Sequence, residues 1–215
     1  MKKGETGPDQ PSRYFAELAT AFVRGRLGDL HATLEDGRQA GLRLHKFKAD
    51  AGLPRVLRVL GILRGLAPAS LLDIGSGRGT FLWPVLAAFP DLPVTAVDLS
   101  DRRVSDIQAV RMGGIDRLTT ARMNAQHLAF AARSFDVVTM LEVLEHMPDP
   151  RAALRNAVEV AQRFVIVSVP STPDDNPEHL HLFTPSQIEE MASTAGAARA
   201  TIEHVLNHRI AVIRV

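Results

Sequence analysis

The chain has 215 residues, 46% hydrophobic and 23% charged, a balance that excludes global disorder and fibrous repeats. It contains no cysteine, which excludes disulfides, a thiolate nucleophile and Cys-ligated zinc or iron–sulfur centres. The net charge of +1 by itself indicates no polyanion partner, but it is unevenly spread: residues 1–70 hold 12 Lys+Arg against 7 Asp+Glu (+5), and residues 71–215 hold 13 against 17 (−4).

Residues 1–12 carry Gly, Pro, Asp and Gln without an apolar run and are expected to form a disordered tail. Met1-Lys2-Lys3 starts like a signal peptide, but no apolar core follows. The apolar stretch Leu53–Leu66 is broken by Arg55, Arg58 and Arg64. A cytoplasmic protein without a membrane span is the expectation. From Arg13 the spacing of Phe15, Leu18 and Phe22 predicts a helix. A second helix is expected from about Asp29 to Lys48 through Leu30, Leu34, Leu42, Leu44 and Phe47. A third begins at Pro54 and places Val56, Leu57, Leu60 and Leu63 on one side.

After Pro68 short apolar strands alternate with helices. Strands are expected at 70–74, 94–98, within 116–123, at 135–141 and at 164–169. Helices are expected at 80–89, from the Ser100 cap to Met112, from Asp149 to Gln162, and from Thr184-Pro185 to Ala195. Arg199 to Val215 reads as two strands joined near Asn207-His208. The expected architecture is α/β: a mostly parallel seven-stranded Rossmann-like sheet, the last strand antiparallel, with helices on both faces and extra N-terminal helices. Residues 13–68 are expected to form a separate helical segment, and 69–215 one domain.

Leu72-Asp73-Ile74-Gly75-Ser76-Gly77-Arg78-Gly79 turns from a strand into a helix. Glycines there permit a tight turn and close approach of a ligand. Asp98 ends the next strand, 25 residues after Asp73, where a carboxylate can accept both hydroxyls of a ribose. A tight turn without a ligand would need neither acid. A dinucleotide fingerprint needs Gly-x-Gly-x-x-Gly, and Gly75-x-Gly77-x-Gly79 is one residue too short.

Leu71–Phe81, LLDIGSGRGTF, resembles the first motif of the class I S-adenosylmethionine-dependent methyltransferases, and the resemblance covers about residues 69–215. It implies that Gly75, Ser76 and Gly77 pack under the methionine part of the cofactor and that Asp73 lies near its amino group. It further implies that Asp98 and the adjacent Leu99 hold the ribose side. The resemblance also implies that Asn124, where the family often has Asp, and Ala125 lie beside the adenine, that Leu141 at the end of the fourth strand borders the cofactor, and that residues 13–68 are a helical lid or substrate segment over a cofactor-binding domain at 69–215.

Glu142-Val143-Leu144-Glu145-His146 follows that strand, on the edge where open α/β sheets place ligands. One helical turn would present Glu142, Glu145 and His146 together. The loop after the fifth strand adds Glu178, His179 and His181. His146, Glu145 and His181 are the catalytic candidates, without a metal. The alternative is a divalent metal on Glu142, Glu145, His146 and His181, which resembles the metal-dependent enzymes that 2′-O-methylate the 3′ end of small RNAs.

The expected function is methyl transfer from S-adenosyl-L-methionine to an oxygen or nitrogen of a small molecule, by a monomer or homodimer. Two alternatives stand beside it. One is a metal-dependent RNA 2′-O-methyltransferase that grips phosphates with Arg24, Arg26, Arg38, Arg43, Lys46 and their neighbours. The other is a non-catalytic, cofactor-binding partner subunit.

Overall fold

The computed structural model describes residues 15–49 and 52–215; the expected tail at 1–12 lies outside them. The first helix, α1 (Ala16–Leu27), is stopped by Gly28 in the left-handed region at φ 68°. The long helix expected from Asp29 to Lys48 does not form. Only α2 (Leu34–Gln39) and a 3-10 turn at His45–Phe47 occur there. Thr33 and Asp36 cap each other's backbone and start α2 late, and Gly41 at φ 72° follows its end. The leucines of this stretch keep a helical spacing that the backbone does not follow. Helix α3 (Pro54–Leu66) starts on its proline as expected.

The body runs β1 (Leu71–Ile74), α4 (Leu82–Ala88), β2 (Val94–Asp98), α5 (Asp101–Met112), β3 (Leu118–Arg122), β4 (Phe135–Leu141), α6 (Pro150–Val160), β5 (Ala161–Pro170), α7 (Pro185–Thr194), β6 (Arg199–Val205) and β7 (His208–Arg214). The sheet order is β3-β2-β1-β4-β5-β7-β6. Strands β1 to β5 pair in parallel, and β7 runs antiparallel to both β5 and β6. The order reverses beside β1, which pairs with β2 on one side and β4 on the other, so a crevice opens there at the carboxyl ends of the strands.

Alternate strand residues feed two cores. Leu71, Ala96, Val137 and Ile166 pack against α1, α3, α4 and α5. Leu72, Val97, Val138, Met140 and Val165 pack against α6 and α7. The N-terminal segment is tied to the body by a close helix contact. A Cβ on Gly25 of α1 would lie 1.9 Å from the Ala109 carbonyl oxygen of α5, and one on Gly113 would lie 1.8 Å from that of Ala21.

Candidate active site

A cavity of about 620 Å³ occupies the crevice. Asp73, Gly75, Ser76, Gly77, Asp98, Leu99, Asn124, Ala125 and Leu141, the residues expected at the cofactor, all line it. Gly75 and Gly77 take φ 73° and 59°. A Cβ on Gly75 would meet Val143 Cγ2 at 2.5 Å, whereas one on Gly77 would meet only the Gly75 carbonyl oxygen, at 3.7 Å. Gly77 thus has open space above it, the kind of cradle that a side chain would fill.

Asp98 is 4% exposed and braces the turn. Its Oδ2 accepts from the Gly77 N–H at 2.8 Å and its Oδ1 from the Ser100 N–H at 2.9 Å, while Arg103 Nη1 stands 3.5 Å away. Ser100 precedes α5 but makes no side-chain cap. Asp73 Oδ1 accepts from Thr139 Oγ1 at 2.9 Å, and its buried Oδ2 has no partner. Burial raises the Asp73 carboxyl to about 6, with Asp98's charge adding to the rise. An unpartnered buried acceptor beside a glycine cradle, with a second carboxylate across it, fits a ligand bearing both an ammonium group and a ribose.

At the other end of the cavity are Arg55, Glu142, His146, Met147 and Glu178. Glu142, His146 and Glu145 do not share one helical turn. The backbone makes a 3-10 turn over Leu144–His146, with Glu142 before it at φ 58°. A non-glycine residue there carries strain of order 1 kcal/mol. Glu142 is held by its N–H to the Ser168 carbonyl at 2.9 Å, the Ser168 hydroxyl, His208 Nε2 at 3.0 Å and Arg55 Nε at 3.7 Å.

Glu145 turns inward instead, 0% exposed, with neither carboxyl oxygen hydrogen-bonded. Burial first, then the neighbouring Glu142, pushes its pKa up to about 8. The Glu145, His146 and His179 ligand atoms lie within 4.8 Å of one another. His146 Nδ1 meets the Glu178 carbonyl oxygen at 3.0 Å, and His179 Nδ1 meets Asp174 Oδ2 at 2.9 Å. Those oxygens only accept, so each ring presents a bare Nε2. The expected ligand set of Glu142, Glu145, His146 and His181 is corrected on two counts. Glu142 is engaged by Ser168, Arg55 and His208, and His181 Nε2 is taken by the Met147 carbonyl at 2.9 Å. His181, a catalytic candidate, therefore has its Nε2 on the backbone, and His179 stands in the cluster instead.

Ser168 and Asp174 were not singled out in the sequence, and Arg55 and His208 were not assigned to this site. Arg55, Ser168 and His208 reach Glu142 from far along the chain, and Asp174 reaches His179 within one loop, none of which a local motif announces. Several of the basic N-terminal side chains are paired with acids: Arg38 with Glu35, Arg58 with Glu203, and Arg26 and Lys46 both with Asp106.

A parallel sheet whose last-placed hairpin inserts β7 antiparallel beside β5, with a glycine turn, Asp73 and Asp98 at its switch point, is a Rossmann-like fold of the methyltransferase type. Residues 72–163 match the family model described as "Methyltransferase domain". The chain is 36% identical over 107 residues to the 27-O-demethylrifamycin SV methyltransferase of Amycolatopsis mediterranei, covering 48% of this chain and 38% of that one. It is 29% identical over 104 residues to the ubiquinone biosynthesis O-methyltransferase of Nitrosomonas europaea, covering 47% and 43%. In both cases it spans less than half the length of the curated relative. The structure of magnesium protoporphyrin IX methyltransferase from Synechocystis PCC 6803 superposes with a TM-score of 0.60 at 20% identity, covering 74% of this chain and 81% of that one. Residues 72–163 thus match a methyltransferase domain, and the fold is that of the class I S-adenosylmethionine-dependent methyltransferases. Among the described residues no helix is long and apolar enough to cross a membrane.

Proposed function

We propose that this chain transfers a methyl group from S-adenosylmethionine to an oxygen of a small-molecule acceptor. One observation carries the reading: a single cavity has the glycine cradle, Asp73 and Asp98 at one end and His146, Arg55 and Glu142 at the other. The cofactor supplies a methyl group already activated on a sulfonium. The chain's part is to hold cofactor and acceptor in line, exclude water and take a proton. Asp73 Oδ2 suits the cofactor's ammonium group and Asp98 its ribose hydroxyls. His146, with Nδ1 on the Glu178 carbonyl and Nε2 bare, is the base for an acceptor hydroxyl. The relatives' names favour oxygen over nitrogen and a small molecule over RNA. Arg55 at the same end would suit an acceptor carrying an anionic or phenolic oxygen. A cytoplasmic site of action and a monomeric or homodimeric state belong to the same proposal.

The test is formation of S-adenosylhomocysteine with a panel of phenolic and aliphatic hydroxyl acceptors, beside calorimetry of S-adenosylhomocysteine binding. Tight binding with no turnover on any acceptor would favour the partner-subunit alternative. Absence of binding would remove the cofactor assignment.

A second reading adds a divalent cation on Glu145, His146 and His179, favoured by the two unpartnered oxygens of Glu145. Each histidine has its other nitrogen fixed by a second partner, the arrangement that orients imidazole ligands. One carboxylate and two imidazoles suit Zn²⁺, Mn²⁺ or Co²⁺ better than Mg²⁺. Such an ion would polarise an acceptor oxygen. Metal analysis of the purified chain and Mn²⁺ calorimetry on wild type and Glu145→Gln decide between the two.

A further inference from the structure

We propose that a second cavity, enclosed by the N-terminal segment, the glycine turn and α5, binds the diphosphate or phosphate group of a small molecule. The cavity measures about 430 Å³ and adjoins the cofactor cavity, sharing Gly77, Arg78 and Arg103 with it. Arg43, Lys46, Arg78, Arg102 and Arg103 all line it, with His45 beside them. Asp106 is the one acid in the lining, and it is already spent. Against the opposing effect of burial, Lys46 and Arg26 hold it below the ordinary carboxylate range. Among the described residues Arg43, Arg78 and Arg102 have no ion-pair partner, while Arg103 has only the 3.5 Å contact to Asp98. Three unpaired arginines and the loosely paired Arg103, around an acid that Lys46 and Arg26 neutralise, make a positive local field, and guanidinium groups match phosphate oxygens in pairs.

A second, independent feature points the same way. The start of α5 forms part of the wall through Ser100, Arg102 and Arg103, and Ser100 does not cap it with its side chain. The first-turn amides of this 12-residue helix have no side-chain acceptor there, and a helix N-terminus favours an anion.

The geometry favours a compact anion over a polymer. The unpaired cations converge on one concavity. Arg38, Arg55 and Arg58, which a strand of nucleic acid crossing the N-terminal helices would need, are paired with Glu35, Glu142 and Glu203. The proposal does not rest on methyl transfer.

The experiment is calorimetric titration of the full chain with inorganic pyrophosphate and with inorganic phosphate, repeated on the Arg43→Gln/Arg102→Gln double variant. S-adenosylhomocysteine affinity serves as the check that the variant is folded, since neither residue lines the cofactor cavity. The expected result is saturable one-to-one binding of pyrophosphate. The double variant should weaken it by about tenfold or more, the scale for losing one charge-assisted contact. S-adenosylhomocysteine affinity should not change. Absence of saturable pyrophosphate binding, or equal binding by the double variant, would overturn the proposal. A single-stranded RNA that binds in an Arg43- and Arg102-dependent way, and that pyrophosphate does not displace, would overturn it in favour of a polyanion surface.

Discussion

The two ends of the main cavity are built on opposite plans. At the cofactor end the polar groups are tied to the backbone of the turn. Asp98 accepts from the Gly77 and Ser100 amides, and Asp73 is fixed by Thr139, with one oxygen left free. At the acceptor end the Glu142 carboxylate is tied to side chains from distant elements and His146 to a loop carbonyl, and the buried carboxyl of Glu145 beside them has no partner at all. The first plan gives a preformed cradle. The second stores free energy in an unsatisfied group, which a proton or a cation can relieve. If this contrast is functional, damage at the acceptor end should reduce turnover, and damage at the cofactor end should reduce binding.

The largest expected effect separates the ends directly. His146→Ala should lower turnover by about 10²–10⁴, the range for a lost general base, with S-adenosylhomocysteine affinity near wild type. His179→Ala sharpens the point. An equal loss, with activity abolished by EDTA and restored by Mn²⁺, marks a metal site. A much smaller loss with EDTA inert marks His146 as a base alone. A fall in cofactor affinity equal to the fall in turnover would erase the distinction between the ends.

Asp98→Ala is the converse. It removes the acceptor for two ribose hydroxyls and strands the Gly77 and Ser100 amides, at a cost of about 2–4 kcal/mol, or roughly 30- to 1000-fold in Kd. Calorimetry with S-adenosylhomocysteine measures this, and unchanged affinity would take the ribose away from Asp98.

The same contrast explains what the sequence made legible. The glycine turn, Asp98 and the apolar strands are local patterns, and every residue they marked for the cofactor lines the cavity. The acceptor end depends on chain crossings. His179 reaches Asp174 across a loop, His208 comes from the start of β7, and Arg55 from α3. No spacing along the chain distinguishes His179 from His181, and only the loop's path sends one ring into the cluster and the other to Met147. The positive φ of Glu142 breaks the helical turn that Glu-x-x-Glu-His suggests. In the N-terminal segment leucine periodicity implied one long helix, but Thr33, Asp36 and Gly41 cut it short. The close approach of α1 and α5 at Gly25 and Gly113 was equally silent, because a glycine in or at the end of a helix reads as a weakness or a stop until its neighbour is known.

Glu145 gives the comparison a pH axis. In the metal-free folded chain it keeps its proton up to about pH 8, against an ordinary value of 4.5. Between those values the folded state binds more protons than the unfolded state, so stability should fall as pH rises through the window. The slope is up to about 1.4 kcal/mol per pH unit. Glu145→Gln should flatten it, as read by urea denaturation at several pH values in EDTA. A slope unchanged in the variant would assign the effect to another group.

The smallest predicted effect probes the one group at the cofactor end that resembles Glu145. Asp73 is also buried with an unpartnered oxygen, and the nearby hydroxyls of Ser76 and Thr139, the second donating to its other oxygen, hold back a larger shift. Its folded pKa of about 6 leaves it ionised at pH 7, ready to accept from the cofactor's ammonium group. Cofactor affinity should therefore weaken as pH falls through about 6. Thr139→Val keeps the side-chain volume close and removes the hydroxyl. The carboxylate then loses a donor that favours its charged form, so the pKa rises further. The pH at which affinity declines should move upward, and at pH 7 the Kd should rise by roughly threefold to tenfold, the scale of one net hydrogen bond. At high pH, where Asp73 is ionised in both proteins, the difference should narrow. A constant ratio at all pH values would mean that Thr139 acts on cofactor binding through packing instead of through the charge on Asp73.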